Sequence, residues 1–147
     1  MAGPATVTVH GSCISHHGRA ALILGASGAG KSGLALQLMA LGAGLIADDR
    51  VRLSRSGAEV IAACPPRLSG LIEARGFGLL PAAPAGPAPV ALIVDLDGRE
   101  DQRLPPDRKR DLLDVAVDLV FPGQGGHFAA AIMLYLTHGR RAEGMIG

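Results

Sequence analysis

Short apolar runs punctuated by glycine, proline and charge set the pattern of this chain. From Ala5 to Ser15 the residues are mostly β-formers (Thr6, Val7, Thr8, Val9, Cys13, Ile14), and after His16-His17-Gly18 a second apolar run extends from Arg19 to Leu24. That predicts a β-hairpin with its turn at the histidine-glycine stretch. Pairing about that turn joins positions whose numbers sum to about 35, which sets His10 opposite Gly25. Leu34, Leu38 and Leu41 then recur at the spacing of one helix face, and Gly42 and Gly44 bracket its end. Leu45-Ile46-Ala47 closes on Asp48-Asp49, which reads as a buried parallel strand with acids at its carboxyl end.

Further along, Val51-Arg52-Leu53 and Glu59-Val60-Ile61-Ala62-Ala63 flank Ser54-Arg55-Ser56-Gly57, a second hairpin pattern that Pro65-Pro66 ends. In the stretch from Leu71 to Leu80, Glu73 and Arg75 share parity, so on a strand they project from one face. Residues 81–89 are proline- and alanine-rich and read as extended chain, the one stretch with linker composition. Val90 to Val94 is a buried strand ending at Asp95, and Arg99 to Asp111 is densely charged with both signs, either a solvated loop or a contact surface for an acidic partner or a phosphate. Leu112 to Leu119 mixes helical and strand signals, Pro122-Gly123-Gln124-Gly125-Gly126 is a turn, and His127 to Thr137 is an apolar helix with Arg140 and Arg141 as C-terminal cations. Residues 1–4 read as a frayed start.

Candidate chemistry concentrates between the first hairpin and the first helix. Gly25-Ala26-Ser27-Gly28-Ala29-Gly30-Lys31-Ser32 fits G-x-x-x-x-G-K-[ST], entered from an apolar strand and left through a helix. Glycines at those positions let backbone N–H groups turn inward around phosphate oxygens. The helix N-terminus adds its positive dipole end. The Lys31 ammonium then suits the β/γ-phosphates, and the Ser32 hydroxyl suits Mg²⁺. In open α/β sheets ligands lie beyond the carboxyl ends of strands, so the loop and Asp48-Asp49 are expected at one edge. Successive side chains alternate faces, so one aspartate faces the phosphates squarely, holding Mg²⁺ or orienting a hydroxyl nucleophile.

Composition narrows the alternatives. With 147 residues the chain is expected to form one domain, 1–147, around one core. Its net charge of +1 and near-absence of aromatic residues speak against nucleic acid or anionic lipid as partner. Cys13 and Cys64 form neither a disulfide framework nor a metal spacing. The longest apolar run is too short to span a bilayer and no leader pattern opens the chain, so a soluble, cytoplasmic protein is expected.

With these residues in view, the sequence resembles the catalytic domain of HPr kinase/phosphorylase from about His10 to Arg103. The resemblance rests on His10-Gly11, the loop of residues 25–32, Ala47-Asp48-Asp49 with Val51 after it, and Leu71-Ile72-Glu73-Ala74-Arg75-Gly76-Phe77-Gly78. It implies an α/β fold, a single phosphate-loop (Walker A) kinase domain with a mixed sheet and flanking helices, like HPr kinase and phosphoenolpyruvate carboxykinase. It also implies a short form without that family's N-terminal domain. The implied activity is ATP-dependent phosphorylation of a serine on an HPr-like phosphocarrier, with removal of that phosphate by inorganic phosphate as the reverse reaction. Residue by residue, the resemblance makes the loop and Lys31 the ATP site, Ser32 and Glu73 the Mg²⁺ ligands, and His10, Asp48, Asp49, Arg75 and Arg103 active-site residues. It makes one of the two aspartates the acceptor of the seryl proton, and it implies a homo-hexamer. Two positions depart from the family pattern. Gly33 stands where an acid is common, and Pro122-Gly123-Gln124-Gly125 lacks the arginine tied to dephosphorylation. The rival readings are a small-molecule kinase or plain NTPase, and a nucleotide-binding regulatory module.

Overall fold

A computed structural model of the chain describes residues 6–66 and 71–139. The expected frayed start and the cations Arg140 and Arg141 lie outside the described residues. In chain order the elements are β1 (Thr6–His10), β2 (Ser12–His16), β3 (Arg19–Leu24), α1 (Lys31–Ala40), β4 (Gly44–Ala47), β5 (Arg50–Ser56) and β6 (Glu59–Ala63). There follow β7 (Leu71–Ala74), β8 (Gly78–Pro81), β9 (Ala88–Asp95), β10 (Lys109–Leu112), β11 (Val115–Val120) and α2 (Phe128–His138).

Nine strands make one mixed sheet in the order β1-β5-β6-β9-β3-β2-β4, with β11 also on β9 and β10 on β11. The strand β9 is the hub. One edge pairs parallel with β3, while the other pairs first with β6 at Ala88 and Pro89 and then with β11 from Leu92 to Val94. Strands β3 and β9, and Cys13 and Ile14 in the middle of β2, present apolar side chains to both faces, which suits a sheet covered on both sides. Ile14, Ala21, Ile23, Leu92 and Val94 pack with Leu38 of α1 and Leu136 of α2. Their alternating neighbours Cys13, Ala20, Leu22 and Ile93 pack under the curled β1-β5-β6 part with Val51, Leu53 and Val60. The pairing of β2 with β3 keeps the expected register, Ser12 opposite Ile23 through His16 opposite Arg19. Its turn residues His17 and Gly18 both have positive φ, 58° and 76°.

Three expectations need correction. The stretch from 5 to 15 is not one strand. It breaks at Gly11, where a Cβ would stand 2.7 Å from the Ile23 carbonyl oxygen and where the backbone N–H is taken by Asp49 O at 3.1 Å. The chain peels away there, and His10 pairs with Arg50 of β5 instead of lying opposite Gly25. The strand β4 is antiparallel to its neighbour β2. Because β2 is itself antiparallel to β3, β4 still runs the same way as β3, and Asp48 still reaches the edge that carries the glycine loop.

Third, the run from Leu71 stops as a strand at Ala74. Phe77 N–H closes a turn onto Ala74 O at 2.8 Å with Gly76 at φ 82°, so Arg75 is a turn residue and Glu73 and Arg75 do not share a strand face. Together β7 and β8 form a separate two-stranded sheet beside α1. Residues 81–89, read as extended chain, are tied to the sheet. Leu45 N–H donates to Ala83 O, and Ala85 N–H to Leu45 O, each at 2.9 Å, which welds the segment to β4. The ambiguous stretch after Leu112 resolves as the β10–β11 hairpin, turning through Leu113 and Asp114, both at positive φ.

Candidate functional site

The glycine loop leaves β3 and enters α1 with Gly25, Gly28 and Gly30 at φ 157°, 86° and 103°. The last two values are left-handed, conformations that a side chain makes costly. Lys31 and Ser32 are the first two residues of α1. The helix has no side-chain cap at this end, so its first N–H groups are held by no capping side chain. Lys31 Nζ donates to Gly25 O at 2.8 Å and Ala26 O at 3.0 Å, folding the ammonium back across its own loop. Below the loop, Asp97 Oδ1 accepts the Ala26 N–H at 2.9 Å.

Behind Asp97 stands Asp95, the last residue of β9. Its Oδ1 accepts the Asp97 N–H at 2.9 Å, and its Oδ2 accepts from Arg110 Nη2 at 2.7 Å. Burial pushes the Asp95 carboxyl upward, but hydrogen bonds from Arg110 and the Asp97 backbone outweigh it, and its pKa lies below the usual aspartate value. The loop is thus tied to the end of β9 and, through Arg110, to β10.

The two aspartates diverge at the end of β4. Asp48 Oδ1 accepts from the Ser32 hydroxyl at 2.8 Å and from the Ser12 hydroxyl at 2.6 Å. Asp49 has φ 73°, and Arg50 N–H bonds across it to Asp48 O at 2.9 Å. That is a three-residue turn of the rarer, more strained hand, which aspartate tolerates better than most residues. It sends the Asp49 carboxylate outward, 3.6 Å from His10 Nε2 and 4.0 Å from Arg50 Nε. The His10 and Asp49 side chains are 67% and 66% exposed, so water screens their attraction heavily.

These pieces wall a cleft of about 730 Å³. The loop and α1 give Ser27, Gly28, Gly30, Lys31, Ser32, Gly33, Leu36 and Gln37; the β1–β2 break gives His10 and Ser12; and Asp49, Glu73, Ala74, Arg75, Phe77 and Leu80 complete it. Of the residues expected from sequence, His10, Lys31, Ser32, Asp49, Glu73 and Arg75 line this one cleft, and Asp48 is bonded to two of its walls. Arg103 does not line it and sits exposed in the 101–107 segment. Sequence reasoning missed Ser12 and Asp97. A serine inside an apolar strand was the available signal for the first, and an acid just past the strand parallel to β3 was the signal for the second.

Among the described residues no three His, Cys, Asp or Glu side chains converge as a metal cage. The donor set near the loop is all hard oxygen, a hydroxyl and carboxylates, which suits Mg²⁺ bound by one or two carboxylates together with phosphate and water. No described helix is long and apolar enough to cross a membrane. Cys13 is wholly buried, and that burial raises its thiol pKa far above the usual range; burial also raises that of Cys64.

Comparison with known proteins supplies the family. The profile described as "HPr Serine kinase C-terminal domain" matches residues 4–84. A protein of Bordetella pertussis named HPr kinase/phosphorylase is 53% identical over 76 residues, covering 51% of this chain and 25% of its own length. One of the same name from Ralstonia nicotianae is 40% identical over 126 residues, covering 78% of this chain and 39% of its own. The chain therefore spans well under half the length of these relatives. Among solved structures, the Hpr(Ser) kinase/phosphatase of Coxiella burnetii superposes with a TM-score of 0.74 at 23% identity, over 89% of this chain and 88% of that one, a likeness of fold.

Proposed function

From the premise that this chain belongs to the HPr serine kinase C-terminal domain family, we propose that it is an ATP-dependent protein-serine kinase acting on an HPr-like phosphocarrier. The observation that carries the proposal is the convergence on one cleft of a glycine loop, Lys31, the Ser32–Asp48 hydrogen bond and the exposed Asp49–His10 pair. ATP is the phosphoryl donor, held through its phosphates by the backbone of residues 25–32 and by Lys31. Lys31 exchanges its two loop carbonyls for phosphate oxygens, a gain in charge–charge attraction. Ser32 and Glu73 are the proposed Mg²⁺ ligands, and Mg²⁺ supplies neutralisation of the charge that spreads over the transferred group.

The seryl oxygen forms the new bond to the γ-phosphorus while the bond to the bridging oxygen of ADP breaks. The seryl proton passes to a carboxylate of the Asp48-Asp49 pair. Little covalent chemistry is asked of the protein, and positioning with electrostatic stabilisation does most of the work. Arg75 and His10, which both line the cleft, are the residues proposed to hold phosphoryl or carboxylate oxygens. Arg103 joins the site only if the exposed 101–107 segment approaches when the carrier docks. Cytoplasmic location and assembly of several copies belong to this reading as well.

Incubation with ATP labelled at the γ-phosphate, with and without purified HPr, tests it. Label on a serine of HPr, lost in Lys31→Ala, is the expected result. Free phosphate alone would replace the proposal with an NTPase, label on a small acceptor with a small-molecule kinase, and neither product with a nucleotide-binding regulatory module. Lys31→Ala is expected to lower transfer by about 10³ while circular dichroism stays unchanged.

A further inference from the structure

Ser12 is the one polar residue buried outright among the described residues, with no exposed surface. Its neighbours along β2, Cys13 and Ile14, are wholly buried and apolar, and the alternation of the strand would accept an alanine, cysteine or valine there. Burying a hydroxyl in such a place costs free energy unless it is hydrogen-bonded. Its side-chain hydroxyl donates to the Asp48 carboxylate at 2.6 Å, shorter than the bond from Ser32 to the same oxygen.

The two hydroxyls differ in what else they are asked to do. Ser32 stands at the head of α1 facing the cleft and is the proposed Mg²⁺ ligand, so its hydroxyl answers to the metal. Ser12 borders the same cleft but has no exposed surface, and its backbone is fixed in the ladder opposite Ile23. Its hydroxyl donates to Asp48 alone. With both lone pairs of Oδ1 occupied, the Asp48 carboxylate cannot rotate about its own bond without breaking two hydrogen bonds.

We propose that Ser12 is a positioning residue, which locks the Asp48 carboxylate against Ser32 so that it is set before nucleotide and Mg²⁺ arrive. This rests on reading the cleft as a phosphoryl-transfer site. Preorganisation of this kind lowers the ordering cost of binding and of the transition state.

The test uses the full chain and a fluorescent ADP analogue, with affinity measured in Mg²⁺ and in EDTA. Three changes are compared: Ser12→Ala, Ser12→Cys, which keeps the volume and removes the strong donor, and Asp48→Asn. A double-mutant cycle combines Ser12→Ala with Asp48→Asn. The expected result is that both Ser12 variants lose about tenfold of the Mg²⁺-dependent gain in affinity. Affinity in EDTA and the melting temperature should change little, and Ser12→Ala should add nothing once Asp48 is Asn. If Ser12→Cys behaves as wild type while Ser12→Ala does not, the role is packing and the proposal falls. If Asp48→Asn weakens Mg²⁺-dependent binding but neither Ser12 variant does, the proposal falls and the reading of the site stands. If Asp48→Asn itself changes nothing, the reading of the site falls and takes this inference with it.

Discussion

Replacing Gly11 with alanine puts a methyl group where the fold has no room. The new Cβ would lie 2.7 Å from the Ile23 carbonyl oxygen and 3.1 Å from Leu24 Cδ2, against 3.4–4 Å for ordinary contact. The nearer neighbour is backbone of β3, held in ladders on both edges by β2 and β9, so it cannot step aside as a side-chain tip would. Overpacking against a fixed group costs about 2 kcal/mol, which for a chain of this size lowers the melting temperature by roughly 4–8 °C. The displacement also has a direction. Gly11 N–H is bonded to Asp49 O, so relief of the clash moves His10 and Asp49 away from the glycine loop, and nucleotide-dependent transfer should fall further than stability alone explains. Gly33→Ala is the control of opposite sign. Its Cβ meets nothing within 4 Å, and inside a helix the change should stabilise by about 0.5–1 kcal/mol. Urea denaturation followed by circular dichroism reads both. A Gly11→Ala midpoint equal to wild type, or a Gly33→Ala loss as large as that at Gly11, would refute the reasoning.

Three further outcomes are expected. His10→Ala should reduce phosphoryl transfer far more than it reduces affinity for a fluorescent ADP analogue; equal losses in both would make His10 a binding residue only. Asp95 has a lowered pKa, so its contribution to stability is present above the unfolded value near ~4 and is lost as pH falls through the folded one. The melting-temperature gap between wild type and Arg110→Ala should therefore narrow between pH 6 and pH 3, and a constant gap would sink the assignment of that pair. Because Pro122-Gly123-Gln124-Gly125 lacks an arginine, phosphorylation of HPr should outrun phosphate-dependent dephosphorylation of phosphoseryl-HPr. Equal rates at millimolar phosphate would show that another arginine, such as Arg108 or Arg110, serves.

What was legible in the sequence was what local pattern decides. The His17-Gly18 turn fixed the register of β2 on β3, and the apolar runs from Arg19 to Leu24 and from Val90 to Val94 marked strands. The break at Gly11 was not legible, because its cause is the Ile23 carbonyl, a neighbour across the sheet. Nor was the direction of β4, since a continuous apolar run looks alike in parallel and antiparallel pairing when both faces are buried. The β10–β11 turn escaped notice because Leu113-Asp114 adopts positive φ without the asparagine or glycine that usually announces it. At the site, Lys31, Ser32 and the aspartates were visible as motif residues. Ser12 and Asp97 were not, because their roles lie in single hydrogen bonds made across 36 and 71 residues of chain.

That last separation bears on how the protein is made. One edge of β3 is closed at once by β2, its hairpin partner, but the other waits for β9, whose end also supplies the Asp97 anchor of the loop. At synthesis rates of about 5–20 residues per second, the 71 residues between Ala26 and Asp97 take roughly 4–14 s to emerge. Through that interval Ala20-Ala21-Leu22-Ile23-Leu24 is an apolar strand with an open edge, a template for pairing with any other unfinished chain. The nascent protein should accordingly be held by chaperones at this strand, and ribosome-bound chains arrested before Val90 should aggregate on release where chains extended past His138, which include the core helix α2, fold.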